Sequence, residues 1–258
     1  MDENKPNLTV EINTQKPTIN LAWMYPDILN LHGDRANIQA FERVAQNLDI
    51  DLKVIKINNY KEEINWEDID ICIFSPGELK VMPQIIETLE KQKEEIYKYI
   101  LKEKYIITIG TTGAICAKDI TTEDGESYEG LGLFNMTVKE RSTVIGDDLY
   151  FTILNTKQEI IGSQIQMIDV ELKEQSNPLG YTNYGYGNNK TGIEGAREKN
   201  LIYTNCLGPV FVKNPWWVEE ILKDIVLNKY LKISKKEEYD LENESYKTIK
   251  RFINEKSS

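Results

Sequence analysis

A single histidine, His32, and three cysteines, Cys72, Cys116 and Cys206, are all that this 258-residue chain offers for imidazole and thiol chemistry. Any Cys–His or Ser–His pair must use His32 or does not form. No Cys/His spacing suits zinc, and no metal or other cofactor is expected. The phosphate loop G-x-x-x-x-G-K-[ST], a G-x-G-x-x-G turn after the first strand and the G-x-S-x-G elbow are all missing. No apolar run reaches the roughly 20 residues of a membrane span. Positive charge is in deficit: 31 Lys and Arg against 42 Asp and Glu give a net charge of −11. That balance disfavours unspecific binding to nucleic acid or to an anionic membrane, yet leaves room for a local basic pocket that takes a small anion. The opening MDENKPNLTVEINTQKP has no basic start followed by an apolar stretch, and sparse thiols suit a reducing compartment, so a cytoplasmic location is expected.

The chain does have an ordinary hydrophobic fraction of 40% and a length that buries a sizeable core. INLAWMY (19–25) reads as a strand ended by Pro26 and Asp27. In DRANIQAFERVAQNL, apolar residues Ile38, Phe41, Val44 and Leu48 recur at the helix period, with Asp34 as the expected N-cap. The segment 52–57 alternates like a strand, DIDICIFS and KYIITIG read as strands buried on both faces, and 85–101 reads as one long helix. Strand and helix thus alternate through the first 115 residues, which implies an α/β domain with a mostly parallel sheet flanked by helices. The second half is β-rich and antiparallel in character, with four short strands in LGLFNMTV, DLYFTIL, EIIGS and QMIDVEL. SNPLGYTNYGYGNNKTGIEGA reads as a loop with turns. A helix opens at Pro215. The expected organisation is a flexible lead-in over 1–18, one domain over 19–232 and a polar helical tail over 233–258.

Four segments resemble one family in register: YPDILNLHGDRANIQAF, DGESYEGLGLFNMTV, PLGYTNYGYGNN followed by IEG, and LGPVFVKNP. They are similar to the class I glutamine amidotransferase domains of the cobyric acid synthase and lipid II isoglutaminyl synthase kind, across about residues 19–230. The resemblance implies a flavodoxin-like fold and a thiol on a strand-to-helix turn that attacks the glutamine amide. It also implies a histidine that moves the proton, backbone N–H donors for the oxyanion, and ammonia passed to an ATP-dependent partner. In cell-wall relatives that partner is a Mur-ligase-like synthetase; amidation of the cobalamin type stays open.

The resemblance breaks at the reactive residues. ITIGTTGA aligns Gly110 with the nucleophile and Ala114 with a usual glutamine. NCLGP aligns Leu207 with the histidine. FSPG replaces a glycine-rich turn, and Pro76 has no N–H to donate. GSQIQMI replaces a segment rich in polar groups, which implies a loss of polar groups near the substrate. The expectation is a catalytically degenerate subunit that partners or regulates a synthetase, or self-associates. A small-molecule module using the old pocket stays open. So does an enzyme with a relocated cysteine: Cys206 or, in another register, Cys116. Candidate pocket residues are Gly77, Lys80, Thr111, Thr112, Arg141, Asn205 and Cys206, with Lys80 and Arg141 the candidates for an anion. Candidate partner-face residues are His32, Asp34 and Arg35, with an ion pair the ordinary reading of Arg35. Trp216 and Trp217 either cap the core or face a partner.

Overall fold

The computed structural model describes residues 16–230 and 238–257, so most of the expected lead-in and the segment 231–237 lie outside the described residues. The buried apolar runs form strands β1 (Thr18–Met24), β2 (Asp51–Ile57), β3 (Ile71–Phe74) and β4 (Tyr105–Ile109). A second group comprises β5 (Asp119–Thr121), β6 (Ser127–Glu129), β7 (Met136–Ile153), β8 (Glu159–Leu172), β9 (Gly180–Tyr184) and β10 (Ile193–Glu194). The last strands are β11 (Ala196–Glu198) and β12 (Leu201–Thr204). The first sheet runs β2-β1-β3-β4-β12-β11, parallel except at the β11 edge. Its strand order reverses between β1 and β3, the place where open α/β sheets gather their sites at the carboxyl ends of the strands.

Helices cover both faces. Helix α1 (Arg35–Asn47) buries Ile38, Phe41 and Val44, the residues whose spacing predicts it, and shares a core with α6 (Pro215–Tyr230), which contributes Trp217, Val218 and Ile221. On the other face lie α2 (Met82–Glu90), α3 (Lys93–Leu101) and the one-turn α4 (Gly113–Cys116). Complete burial of a large apolar side chain contributes roughly 1.5–3 kcal/mol, so these two layers hold the sheet.

Several expectations are corrected. The helix over 85–101 is two helices, broken at Lys91 and Gln92; the Gln92 side chain accepts a hydrogen bond from Trp66 Nε1 at 3.0 Å, a tertiary tie that stabilises the break. The four short strands are two long antiparallel ones, β7 and β8, whose pairing slips between Glu140 and Ile145 and absorbs the polar run there. The loop over 176–196 contains β9 and β10. The second sheet orders β10-β9-β7-β5-β6, with β8 on β7.

An isolated backbone bridge ties β8 of the second sheet to the segment after β12 of the first: Ser163 and Leu207 exchange N–H···O bonds of 3.1 and 2.7 Å. Helix α5 (Val210–Lys213) follows directly. The polar tail forms α7 (Asp240–Ser257), docked on β7 and β8. Glu159 accepts hydrogen bonds from Tyr150, Tyr246 and Lys250; Lys256 pairs with Asp147 at 2.8 Å; Ile253 is buried. Trp217 is fully buried against Phe151 and Phe211, and Trp216 meets Tyr246 of α7 edge-on, so the chain's own helix covers the tryptophan pair. Among the described residues no helix is long and apolar enough to cross a membrane, and no group of His, Cys, Asp or Glu is placed to hold a metal ion.

Candidate functional site

The segments after β1, β3, β4 and β12 converge with β8 on a cavity of about 330 Å³. Of the residues singled out from sequence, it brings together His32, Gly77, Lys80, Gly110, Thr111, Asn205 and Leu207. Thr112, Arg141, Cys206, Asp34 and Arg35 are not on its wall.

Gly110 sits where β4 ends and the chain enters a single 3-10 turn, Gly110–Thr112, that leads into α4. Its φ of +61° is a conformation that glycine adopts without strain. A β-carbon at this position would lie 3.2 Å from Leu207 Cδ2 and 3.4 Å from Pro76 Cβ. Positions 110 and 207 therefore face each other at side-chain contact distance, on a tight strand-to-helix turn and just past the end of the neighbouring parallel strand. The backbone bridge to Ser163 fixes Leu207 in place.

In the neighbouring turn the Ser75 hydroxyl is buried without a partner, but the backbone offers no free donor at positions 76 and 77. Pro76 lacks an N–H. The N–H of Gly77 donates to Thr111 Oγ1 at 3.2 Å, and that hydroxyl donates back to the Gly77 carbonyl at 2.5 Å. A β-carbon on Gly77 would collide with Leu29, which accounts for glycine there. Thr112 is buried behind the wall, where its hydroxyl accepts from Ile109 N–H at 2.9 Å and donates to the Phe74 carbonyl at 3.0 Å, closing the turn.

Asn205 anchors a buried polar network beneath the cavity. Its N–H donates to Glu194 Oε1 at 2.7 Å, its Nδ2 reaches Glu194 Oε2 at 3.0 Å and Asn188 Oδ1 at 2.9 Å, and its Oδ1 accepts from Tyr203 at 2.5 Å. Burial raises the Glu194 pKa against the opposing hydrogen bonds from Asn205 and Thr204. Glu194 was not singled out from sequence; the one signal for it was an acidic residue inside the apolar, glycine-flanked run GIEG. Gln166 was also missed. Where a loss of polar groups was expected in GSQIQMI, β8 turns Gln164 and Gln166 inward, and Gln166 reaches the cavity wall. Both amides are tied internally: Gln164 donates to Gln166, and Gln166 donates to the Ile168 carbonyl at 2.6 Å.

The remaining candidates have other attachments. His32 is exposed at the cavity mouth with φ +60°, and burial lowers its pKa. Lys80 is exposed there and pairs with Glu78. Arg141 points away from the cavity: it binds Asp169 at 2.7 Å and stacks over the Tyr186 ring, so an anion role for it in this cavity is corrected. Cys206 is fully buried against the Gly162 backbone of β8, and burial pushes its thiol well up.

Asp34 stands at the N-terminus of α1 without capping it. Its backbone is already helical, and the buried carboxylate accepts from Asn37 Nδ2 at 2.7 Å while Asn37 accepts from Phe211 N–H at 2.9 Å. A partner-facing role is excluded for a side chain with no exposure. Arg35 lies 5.6 Å over the Trp23 ring, so the expected ion pair is replaced by a cation–π contact.

No family model matches the chain. Two curated relatives carry the name lipid II isoglutaminyl synthase (glutamine-hydrolyzing) subunit GatD. The one from Staphylococcus aureus is 28% identical over 189 residues, 73% of this chain and 76% of the relative. The one from Streptococcus pneumoniae is 24% identical over 214 residues, 82% of each. Among solved structures, the glutaminase domain of Trypanosoma brucei CTPS with bound acivicin shares the fold, with a TM-score of 0.51 and 11% identity over 81% of this chain and 92% of that one. The chain is a glutamine amidotransferase-like domain. In this amidotransferase-like domain, the two positions that the sequence resemblance aligns with nucleophile and base are the facing pair Gly110 and Leu207.

Proposed function

We propose that the chain is a glutamine amidotransferase-like subunit that does not hydrolyse glutamine and serves as partner or regulator of a Mur-ligase-like, ATP-dependent amide synthetase. The observation that carries this reading is the pair Gly110 and Leu207. Gly110 stands at positive φ on the strand-to-helix turn and faces position 207, yet glycine supplies no nucleophile and leucine moves no proton. The oxyanion donors support the same reading, because Gly77 N–H is held by Thr111 and Pro76 has none.

A relocated thiol finds no support. Cys72, Cys116 and Cys206 are all buried; burial raises the Cys116 pKa to about 12 and pushes the Cys72 and Cys206 thiols well up. Thiolate, the reactive form, is suppressed at all three. The named activity of the GatD relatives, subunits of a glutamine-hydrolyzing synthase, supports a synthetase partner for this chain. The test is co-expression with the Mur-ligase-like synthetase from the same cell. The expected result is co-elution as a complex that uses free ammonia and not glutamine. A complex that consumes glutamine through this chain would overturn the reading.

A further inference from the structure

The polar side chains on the inner wall of the cavity are largely engaged with their own neighbours. Thr111 is spent on Gly77, Gln166 on Gln164 and Ile168, and Asn205 on Glu194, Asn188 and Tyr203. Among the described inner-wall side chains, one N–H of Gln166 is the donor left for a polar ligand, and Pro76 and Leu207 make the floor apolar. At the rim stand Leu31, Ile165 and Met167, each exposing 36–37% of its surface. Three large apolar side chains exposed around one opening form a contiguous patch, unlike isolated surface hydrophobics. Glutamine, a zwitterion with a polar side chain, is poorly matched to such a site.

The mouth opens onto a second depression, with which it shares Leu79, Lys80 and Glu140. That depression carries Glu123, Asp124 and Glu126. All three are exposed, and Glu140 accepts the Glu123 N–H at 3.0 Å. Lys80, the basic residue common to both, is already paired with Glu78. An apolar hole beside an acidic groove matches a segment with one large apolar side chain followed by basic residues. Apolar anchors that fill a preformed, water-excluding pocket dominate the energetics of protein interfaces. Charge across the rim sets register and association rate.

We infer that the emptied glutamine cavity is a docking socket for a partner protein, taking one aromatic or long aliphatic side chain from a segment whose neighbouring residues are lysine or arginine. This rests on the reading above that the site does no hydrolysis. It deepens that reading by stating the chemistry of the partner at the site: the feature that replaced catalysis is an attachment point.

The test uses the full chain with methionine methyls labelled for NMR and three synthetic peptides: Lys-Trp-Lys-Lys-Arg, the same with Ala for Trp, and the same with Glu for every basic residue. Free indole is the fourth probe. The expected result is saturable binding of the first peptide with the Met167 methyl resonance shifted, and at least about tenfold weaker binding of the other two peptides. Ile165→Glu should weaken the first peptide by about tenfold or more by charging the rim, and the paired substitutions Glu123→Lys and Asp124→Lys should do so by reversing the groove. All three positions are partly or fully exposed, and the wild-type methyl spectrum of each variant verifies its fold.

Equal binding of the Trp and Ala peptides would overturn the socket in favour of a merely acidic surface. Free indole binding as tightly as the peptide would overturn it in favour of a small apolar ligand. No binding up to the peptide's solubility limit would also overturn it. Ammonia release from glutamine, measured on the same sample, is a separate readout: its appearance contradicts the loss of catalysis, whereas failure of peptide binding alone contradicts only the socket.

Discussion

Gly110 faces Leu207 so closely that a β-carbon on the glycine would stand 3.2 Å from the leucine Cδ2. A cysteine at 110 and a histidine at 207 would therefore meet without movement of the backbone. Gly110→Cys alone should give a thiol of ordinary pKa. With Leu207→His added, the apparent thiol pKa should fall by about one unit or more. Non-glycine backbone at positive φ costs on the order of 1 kcal/mol, a loss that the fold should tolerate. Thiol alkylation rate against pH measures this; identical profiles for the single and double variants would mean that the two positions do not face each other as described.

The three native thiols should be silent in the folded protein. Each is buried, with the charged form suppressed. An aromatic disulfide reagent at about pH 8 should titrate none of them before denaturant is added and all of them after. Rapid native reaction of Cys206 would reinstate it as a nucleophile.

Stability should fall as pH rises because of Asp34. Burial lifts its pKa from 3.8 to about 7, against a smaller opposing effect of the Asn37 hydrogen bond, and its Oδ2 has no partner. A carboxyl with a raised folded pKa binds its proton more tightly in the folded state. Its contribution is complete below the unfolded pKa and is lost as pH climbs through about 7. Urea denaturation should show wild type losing on the order of 2–4 kcal/mol relative to Asp34→Asn between about pH 4 and about pH 8. Parallel curves for the two proteins would contradict it. Glu194, also raised by burial, acts in the same direction in both proteins, so the difference isolates Asp34.

Helix α7 should loosen when Glu159 is altered. Burial disfavours that carboxylate, yet hydrogen bonds from Lys250, Tyr150 and Tyr246 outweigh it and bring the pKa to about 2. Glu159→Ala should raise hydrogen exchange over 240–257 and red-shift tryptophan fluorescence, because Trp216 packs against Tyr246. Unchanged exchange in that segment would mean that Ile253 and the ion pairs Lys256–Asp147 and Arg43–Glu242 hold the helix without Glu159. In a folded state with depressed pKa, the same contact is present above the unfolded pKa and lost as pH falls towards about 2.

The parallel sheet was legible because buried strands such as ICIF and YIITI are apolar throughout and alternate with periodic helices. The break at Gln92 was not: no Pro or Gly marks it, and the hydrogen bond from Trp66 that stabilises it spans 26 residues of sequence. The continuity of β7 and β8 was hidden by polar residues on the open face of the hairpin. At the site, Gly110 and Leu207 were legible by alignment with a family motif. Residue type alone misled for Arg141, because charge does not reveal that Asp169 and Tyr186 claim it. Glu194 and Gln166 were silent because a buried polar residue announces itself only through partners that the fold assembles.

Ammonia release from glutamine decides whether this chain has lost hydrolysis. The full chain is assayed alone and in complex with its synthetase, beside Cys206→Ala and Cys116→Ala variants. No release above the buffer blank is expected in any of these samples. Release by the wild-type chain that one cysteine substitution abolishes would contradict it and identify the nucleophile.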